Sequence, residues 1–386
     1  MTKILFTAVS AHGHVLPLGP LMQAALDDGH DVALIASEGL RGLVESELPA
    51  GVTLLAAGPM PFELATTAAE RTGGDVMQPS IEGIGETFGG VLVDLSLPEA
   101  LPLARAWQPD VVVADQYNTV GPLIAAILDV PWYRYAMSVH PPQSWTEAID
   151  ASAASRYESY ETAPVAPQAT LLAWPSSLTD SGDAAWTDAP VHEIAFTAHV
   201  GRSGGDVVDA ADAGRTADAS EAQPKVLATF GTIFSDAASL ERLASSLDGI
   251  DTVITRGLAL GETTAGDETT GSVQWAEFEP IGRLLEGVDL TVSAGGAGTV
   301  LASLSRGVPL VLWPQGADQP HIAEQVVRAG AGVTIASLDN TRQAVDDVLR
   351  DPRFAERAAA IADENRSRPQ PREVLGSILQ QTSRLS

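Results

Sequence analysis

At 386 residues the chain has material for two ordinary domains. Hydrophobic residues make up 45% and charged residues 19%, a globular balance, and a formal charge of -28 argues against nucleic acid or an anionic membrane surface as partner. With no cysteine there are no disulfides or thiolate metal sites, and the seven histidines lack the spacing of a metal-binding set.

From the first residues, strand and helix patterns alternate. "KILFTAV" (3–9) is a short buried-strand run, too short for a secretory signal. "HVLPLGPLMQAALDDG" (14–29) predicts a helix with Leu18, Leu21, Met22, Ala25 and Leu26 on one face and Gly29 as its cap. "HDVALIAS" is the second strand; later "DVVVADQ" (110–116), the helix "TVGPLIAAILDV" and the strand "PWYRYAM" continue the rhythm. Residues 58–100, rich in Gly, Pro, Met and Phe, read as an insertion of loops and irregular helices over the sheet edge. No stretch approaches the roughly 20 apolar residues of a membrane span, so a cytoplasmic location is expected.

The polar, small-residue segment 201–225 reads as a linker. After it the alternation restarts with "VLATFGT", "DTVITRG", "SVQWAEF", "DLTVSA", "VPLVLWP" and "AGVTIA" as strands. Two α/β domains with parallel sheets follow, and their sites are expected at the carboxyl ends of the strands, facing a cleft. The expected division is 1–200, linker 201–224, 225–365, and 366–386 as a C-terminal helix packing back on the first domain.

Three motifs could carry chemistry. "SAHGHVLPL" (10–18) follows the first strand, and a histidine there suits proton abstraction near neutral pH if an acid orients it. Asp115, at the carboxyl end of "DVVVADQ", is the candidate acid for His12, with a helix N-cap as its rival role. No Gly-x-Ser-x-Gly elbow accompanies the pair, so deprotonation of a substrate hydroxyl fits better than covalent catalysis. "VSAGGAGT" (292–299) is a glycine turn entering a helix, where free N–H groups and the helix dipole favour an anion. "WPQGADQPHIAEQV" (313–326) offers Asp318 and Gln319 to vicinal hydroxyls, or Asp318 simply as a cap.

Taken together, and in this order, the three motifs resemble those of bacterial family 1 glycosyltransferases of GT-B fold, which decorate macrolides, enediynes and aromatic polyketides. The resemblance spans nearly the whole chain and is most specific over 289–335. It implies two Rossmann-like, doubly wound parallel-sheet domains facing across a cleft. It also implies an inverting transfer of a sugar from a dTDP- or UDP-sugar to a hydroxyl of an apolar small molecule, without a metal or other cofactor. Carried over by residue, His12 is the general base and Asp115 its partner. Thr232, Gly296, Gly298 and Thr299 lie along the pyrophosphate, Trp275 frames the base, and Asp318 and Gln319 hold the sugar. Phe62, Phe88, Trp132, Tyr135 and Trp145 offer apolar faces to the acceptor. A homodimer is compatible with the sequence.

The chain departs from the family pattern at Ala294, where a histidine normally precedes the glycines, and at Ala302, where a glutamate is usual. One charge-assisted phosphate contact, worth about 1.5–3 kcal/mol, is therefore missing, with Ser293 or Arg256 as candidates to replace it. The competing reading is a non-catalytic binding or auxiliary protein of the same fold with an impaired donor phosphate site.

Overall fold

The computed structural model describes residues 1–76, 78–179, 185–202, 223–230, 237–257 and 272–385. The chain divides into two compact units. The first holds Met1–Trp174, a segment leading to Ala195, and the C-terminal stretch from Arg368; the second holds a short turn after Trp174 and Phe196–Ser367.

The first unit is built on a sheet of seven parallel strands. These are β1 (Lys3–Thr7), β2 (Asp31–Ala36), β3 (Thr53–Ala56), β4 (Val111–Asp115), β5 (Trp132–Ala136), β6 (Thr170–Leu172) and β7 (Val191–Glu193), in the order β3-β2-β1-β4-β5-β6-β7. Continuous apolar runs such as Ile4–Phe6 and Val111–Ala114 are buried because a parallel sheet is covered on both faces. Chain direction across the sheet reverses between β1 and β4, and ligands of open α/β sheets bind at that switch, outside the carboxyl ends of the strands. Thr7 pairs with Ala114, so the loop after β1 and Asp115, the last residue of β4, leave the sheet side by side.

Helices seat those loops. After β1 the chain turns at once into a short helix, His12–Val15, then one 3-10 turn around Pro17, then the helix Gly19–Asp27. The single helix expected over 14–29 is thus broken, as an imino acid without an N–H breaks the ladder. Gly29, at φ +77°, ends it as expected, its N–H and that of His30 returning to the carbonyls of Leu26 and Ala25. After β4, the helix Val120–Leu128 begins with Gly121 pressed on the β1–β4 pair; a Cβ there would lie 2.1 Å from Thr7 Oγ1 and 3.0 Å from Ala114 Cβ.

Residues 58–100 are more regular than their composition suggests. They form the helix Pro61–Thr72, closed by Gly73 at φ +67°, and most of a helical run from Ile81 to Trp107 with a π-helical turn at Glu86–Val91. The C-terminal helix Pro371–Leu385 belongs to the first unit: Tyr133 Oη donates to the Ile378 carbonyl at 3.0 Å, and the buried Arg368 donates to the carbonyls of Ala173 and Trp174.

The second unit repeats the plan with six parallel strands, β8 (Lys225–Thr229), β9 (Asp251–Thr255), β10 (Val273–Ala276), β11 (Leu290–Ser293), β12 (Leu310–Leu312) and β13 (Gly332–Thr334). Their order is β10-β9-β8-β11-β12-β13, with the switch between β8 and β11. Its core gathers Val226, Ala228, Leu243, Ile254, Val292 and Val311. Most of the linker, 203–222, and the loop 258–271 lie outside the described residues. Among the described residues no helix is long and apolar enough to cross a membrane.

Candidate active site

At the switch of the first sheet, Asp115 is buried and accepts hydrogen bonds from the loop it faces. The N–H of Val9 donates to Oδ2 at 3.2 Å and that of Tyr117 to Oδ1 at 3.4 Å. His14 Nδ1 lies 2.8 Å from Oδ2, with the imidazole partly exposed and the carboxylate side chain only 1% exposed. A carboxylate on Nδ1 fixes the tautomer, directs Nε2 outward as the basic nitrogen and stabilises the imidazolium formed when Nε2 takes a proton.

The expected pairing of Asp115 with His12 is therefore corrected: the carboxylate meets His14, two residues on. Both histidines stand on one helical turn, and side chains two residues apart point about 200° from each other, so one carboxylate selects between them. His12 occupies a half-buried position where desolvation holds its pKa below the usual 6.5, partly offset by the charge of Glu47.

The aromatic residues expected to face an acceptor differ in burial. Trp132 and Tyr135 lie on β5, buried in the core with 6% and 3% exposure. Burial pushes the Tyr135 hydroxyl pKa well up, and the Trp132 indole donates to the Val165 carbonyl at 2.8 Å. Phe88, on the π-turn, packs on Tyr117 with ring centroids 5.1 Å apart, and Trp145, at the start of the helix Gln143–Ser159, borders the same apolar cluster. Phe62, on the helix Pro61–Thr72, is 76% exposed.

At the switch of the second sheet, β11 runs into the glycine turn. Gly295 sits at φ +91°, a conformation that favours glycine, and its N–H donates to Ser293 Oγ at 2.9 Å. The helix Ala297–Ser305 starts from Gly296 without a side-chain cap, so its first N–H groups have no carbonyl partner within the helix. A Cβ added at Gly296 or Gly298 would meet nothing within 4 Å, so packing within the unit does not require glycine at either place. Thr299 is half-exposed beside them, and Thr232 lies outside the described residues. Ala294 is buried in the core cluster, and Ala302 is fully buried on the inner face of the helix.

The two residues considered as replacements for the missing histidine are engaged locally. Ser293 Oγ holds the turn, and Arg256 places its guanidinium carbon 5.7 Å from the Trp275 ring centroid and its Nη1 3.6 Å from Glu277 Oε1. Trp275, on β10, is half-buried. One strand beyond the turn, Gln319 opens the helix Gln319–Arg328, and its Oε1 accepts from the N–H groups of Gln315 (2.8 Å) and Gly316 (3.3 Å). That clasp shapes the loop 314–318, in which Ala317 takes φ +54°, and Asp318 is half-exposed at its end without a side-chain cap bond. Among the described residues no group of three or more His, Asp or Glu could hold a metal ion.

Residues 241–380 match the family described as "Erythromycin biosynthesis protein CIII-like, C-terminal domain". L-demethylnoviosyl transferase of Streptomyces niveus is 27% identical over 96% of this chain and 95% of its own length. Elloramycin glycosyltransferase ElmGT of Streptomyces olivaceus is 26% identical over 97% and 96%. The structure of the glycosyltransferase SsfS6 of Streptomyces sp. SF2575, complexed with thymidine diphosphate, superposes with a TM-score of 0.79 at 26% identity, over 98% of this chain and all of that one. With two Rossmann-like sheets and matches of this reach, the chain is a glycosyltransferase of the GT-B fold and of the natural-product kind, carrying an EryCIII-like C-terminal domain.

Proposed function

We propose that the enzyme transfers a sugar from a nucleoside diphosphate to a hydroxyl of an apolar small molecule with inversion, and that His14, oriented by Asp115, is the general base. The hydrogen bond between His14 Nδ1 and Asp115 Oδ2 carries this reading. His14 Nε2 takes the acceptor hydroxyl proton as that oxygen bonds to the anomeric carbon. The bond from that carbon to phosphate oxygen breaks on the opposite side, and the nucleoside diphosphate leaves with the electron pair. No protein nucleophile enters, so a single displacement inverts the anomeric centre.

For the donor, the turn 294–299 offers main-chain N–H groups and the positive end of a helix, and a pyrophosphate is the group such a site takes. The thymidine diphosphate bound by SsfS6 favours a deoxythymidine diphosphate sugar. Trp275 would frame the base. Gln319, its carbonyl oxygen bound to the loop, has its amide N–H₂ end to offer a sugar oxygen, beside the Asp318 carboxylate as acceptor. Phe88 and Trp145 would border the aglycone.

His14→Gln and His12→Gln, assayed with the same donor and acceptor, test the assignment. Loss of a general base slows transfer by about 10²–10⁴-fold. That loss is expected for His14→Gln, with a smaller effect for His12→Gln; the reverse ranking would return the role to His12.

A further inference from the structure

Beside the His14–Asp115 pair stands an aromatic stack that a proton transfer does not itself require. The Tyr117 and His14 ring centroids are 6.1 Å apart with their planes at 72°, an edge-to-face contact. On its other side Tyr117 packs against Phe88 at 5.1 Å, and its N–H donates to Asp115 Oδ1. One residue therefore touches both members of the pair. The hydrogen bond at Nδ1 sets the tautomer, and a contact against the ring constrains where Nε2 points.

Tyr117 is itself held from behind. Phe88 lies on the π-turn Glu86–Val91, and its carbonyl accepts the Thr119 hydroxyl from the loop that follows Asp115. The turn is pinned by a charge network: Arg71 Nη1 reaches Glu86 at 2.8 Å and Asp94 at 2.7 Å, and Arg156 grips Asp94 through Nε (3.0 Å) and Nη2 (2.7 Å). Ser152 donates to Glu86 Oε2 at 2.9 Å, and a Cβ at Gly89 would lie 2.2 Å from the Ile149 carbonyl oxygen, so the turn is locked on the helix Gln143–Ser159. π-Turns inside α-helices recur at functional sites because the extra residue displaces a side chain from the regular helical position. Here the displaced register carries Phe88.

We infer that Tyr117 is a positioning residue for His14, and that the π-turn, through Phe88, sets Tyr117; this rests on His14 being the base. Precision of this kind matters because small misplacements of a reacting group cost large factors in rate.

The test uses the full chain with Tyr117→Leu, Tyr117→Phe and Phe88→Leu. Two readouts are taken: nitrogen-resolved imidazole spectra of His14 without ligands, and kcat and donor KM across pH. For Tyr117→Leu the His14 ring signals are expected to shift and broaden as the imidazole samples more than one orientation, the tautomer being kept by Asp115, with kcat about ten-fold lower and donor KM little changed. Tyr117→Phe, which keeps the ring, restores the parent spectrum, and Phe88→Leu falls between. Parent-like His14 signals in Tyr117→Leu overturn the inference. Altered signals with an unchanged rate uphold the contact and overturn instead the reading of His14 as base.

Discussion

In the first unit the switch between β1 and β4 is furnished with side chains: a carboxylate, an imidazole and two stacked rings, each held by packing behind it. In the second unit the same topological position, between β8 and β11, is furnished with main chain. There the glycine turn carries no charge of its own, and Gln319 serves to shape a neighbouring loop. Under the proposed function, the difference follows from what each site would do. Moving a proton near neutral pH needs a titratable group in a fixed tautomer, which only a side chain supplies. Holding a diphosphate needs many preoriented donors, which a helix start supplies without reorganisation. Under that proposal the buried Ala294 leaves the second site to the main chain, where the family pattern has a histidine.

Exchanging the defects between the sites gives the largest expected effects. His14→Gln should cut kcat by about 10²–10⁴-fold while nucleoside diphosphate titration gives a parent-like Kd. Gly298→Val should do the opposite. A Cβ there meets nothing within 4 Å and the position is partly exposed, so the melting temperature should stay within about 2 °C, as for a surface change. Donor affinity should fall by about ten-fold or more, the equivalent of losing one or two main-chain hydrogen bonds. Parent-like donor binding in Gly298→Val would remove the turn from the donor site.

A smaller contrast is expected in pH dependence. Burial holds the imidazoles of His12 and His140, both in the first unit, below their ordinary pKa of 6.5. Below pH 6.5 the unfolded chain then binds protons that the folded unit does not, so stability falls as pH drops through that value and levels off above it. Thermal melts from pH 8 to 5.5 should show this slope, and a His12→Gln, His140→Gln double variant should flatten it. Parallel curves for parent and variant would assign the slope to other groups.

Legibility in the sequence also differed between the units. The apolar runs and the Gly29 cap declared the alternation of strands and helices, and Asp115 and the turn 292–299 were placed at strand ends by counting alone. Which histidine meets Asp115 was not legible. Composition and spacing are nearly the same for His12 and His14, and only the exact phase of the first helical turn decides. Tyr135 and Trp132 read as binding residues because aromatic side chains suit both cores and walls; both are buried on β5, where Arg134 between them is partly exposed. Residues 58–100 read as loops and irregular helices because Gly and Pro normally interrupt regular helices. In the folded chain Gly89 serves close helix packing, and Pro98 and Pro102 sit inside the helix Leu92–Trp107. The π-turn, and with it the link from Phe88 to Tyr117, has no signature in residue spacing.

The smallest effect concerns Ala317, whose φ of +54° is the left-handed conformation that side chains avoid. For an L-residue this conformation costs about 1–2 kcal/mol, and the Gln319 clasp on the N–H groups of Gln315 and Gly316 is what holds the loop there. Ala317→Gly relieves the strain but gives the unfolded chain extra freedom worth about 0.4–1 kcal/mol. The net gain should be about 0.5–1 kcal/mol, a rise of about 1–4 °C in the melting temperature of a unit this size. Donor KM should stay within about two-fold, because the clasp rather than the methyl group sets the loop, and a two-fold change is only about 0.4 kcal/mol. A lower melting temperature would show that the alanine methyl contributes packing that outweighs its strain. A large rise in KM at raised stability would show that the second unit, like the first, depends on a side chain to aim its site.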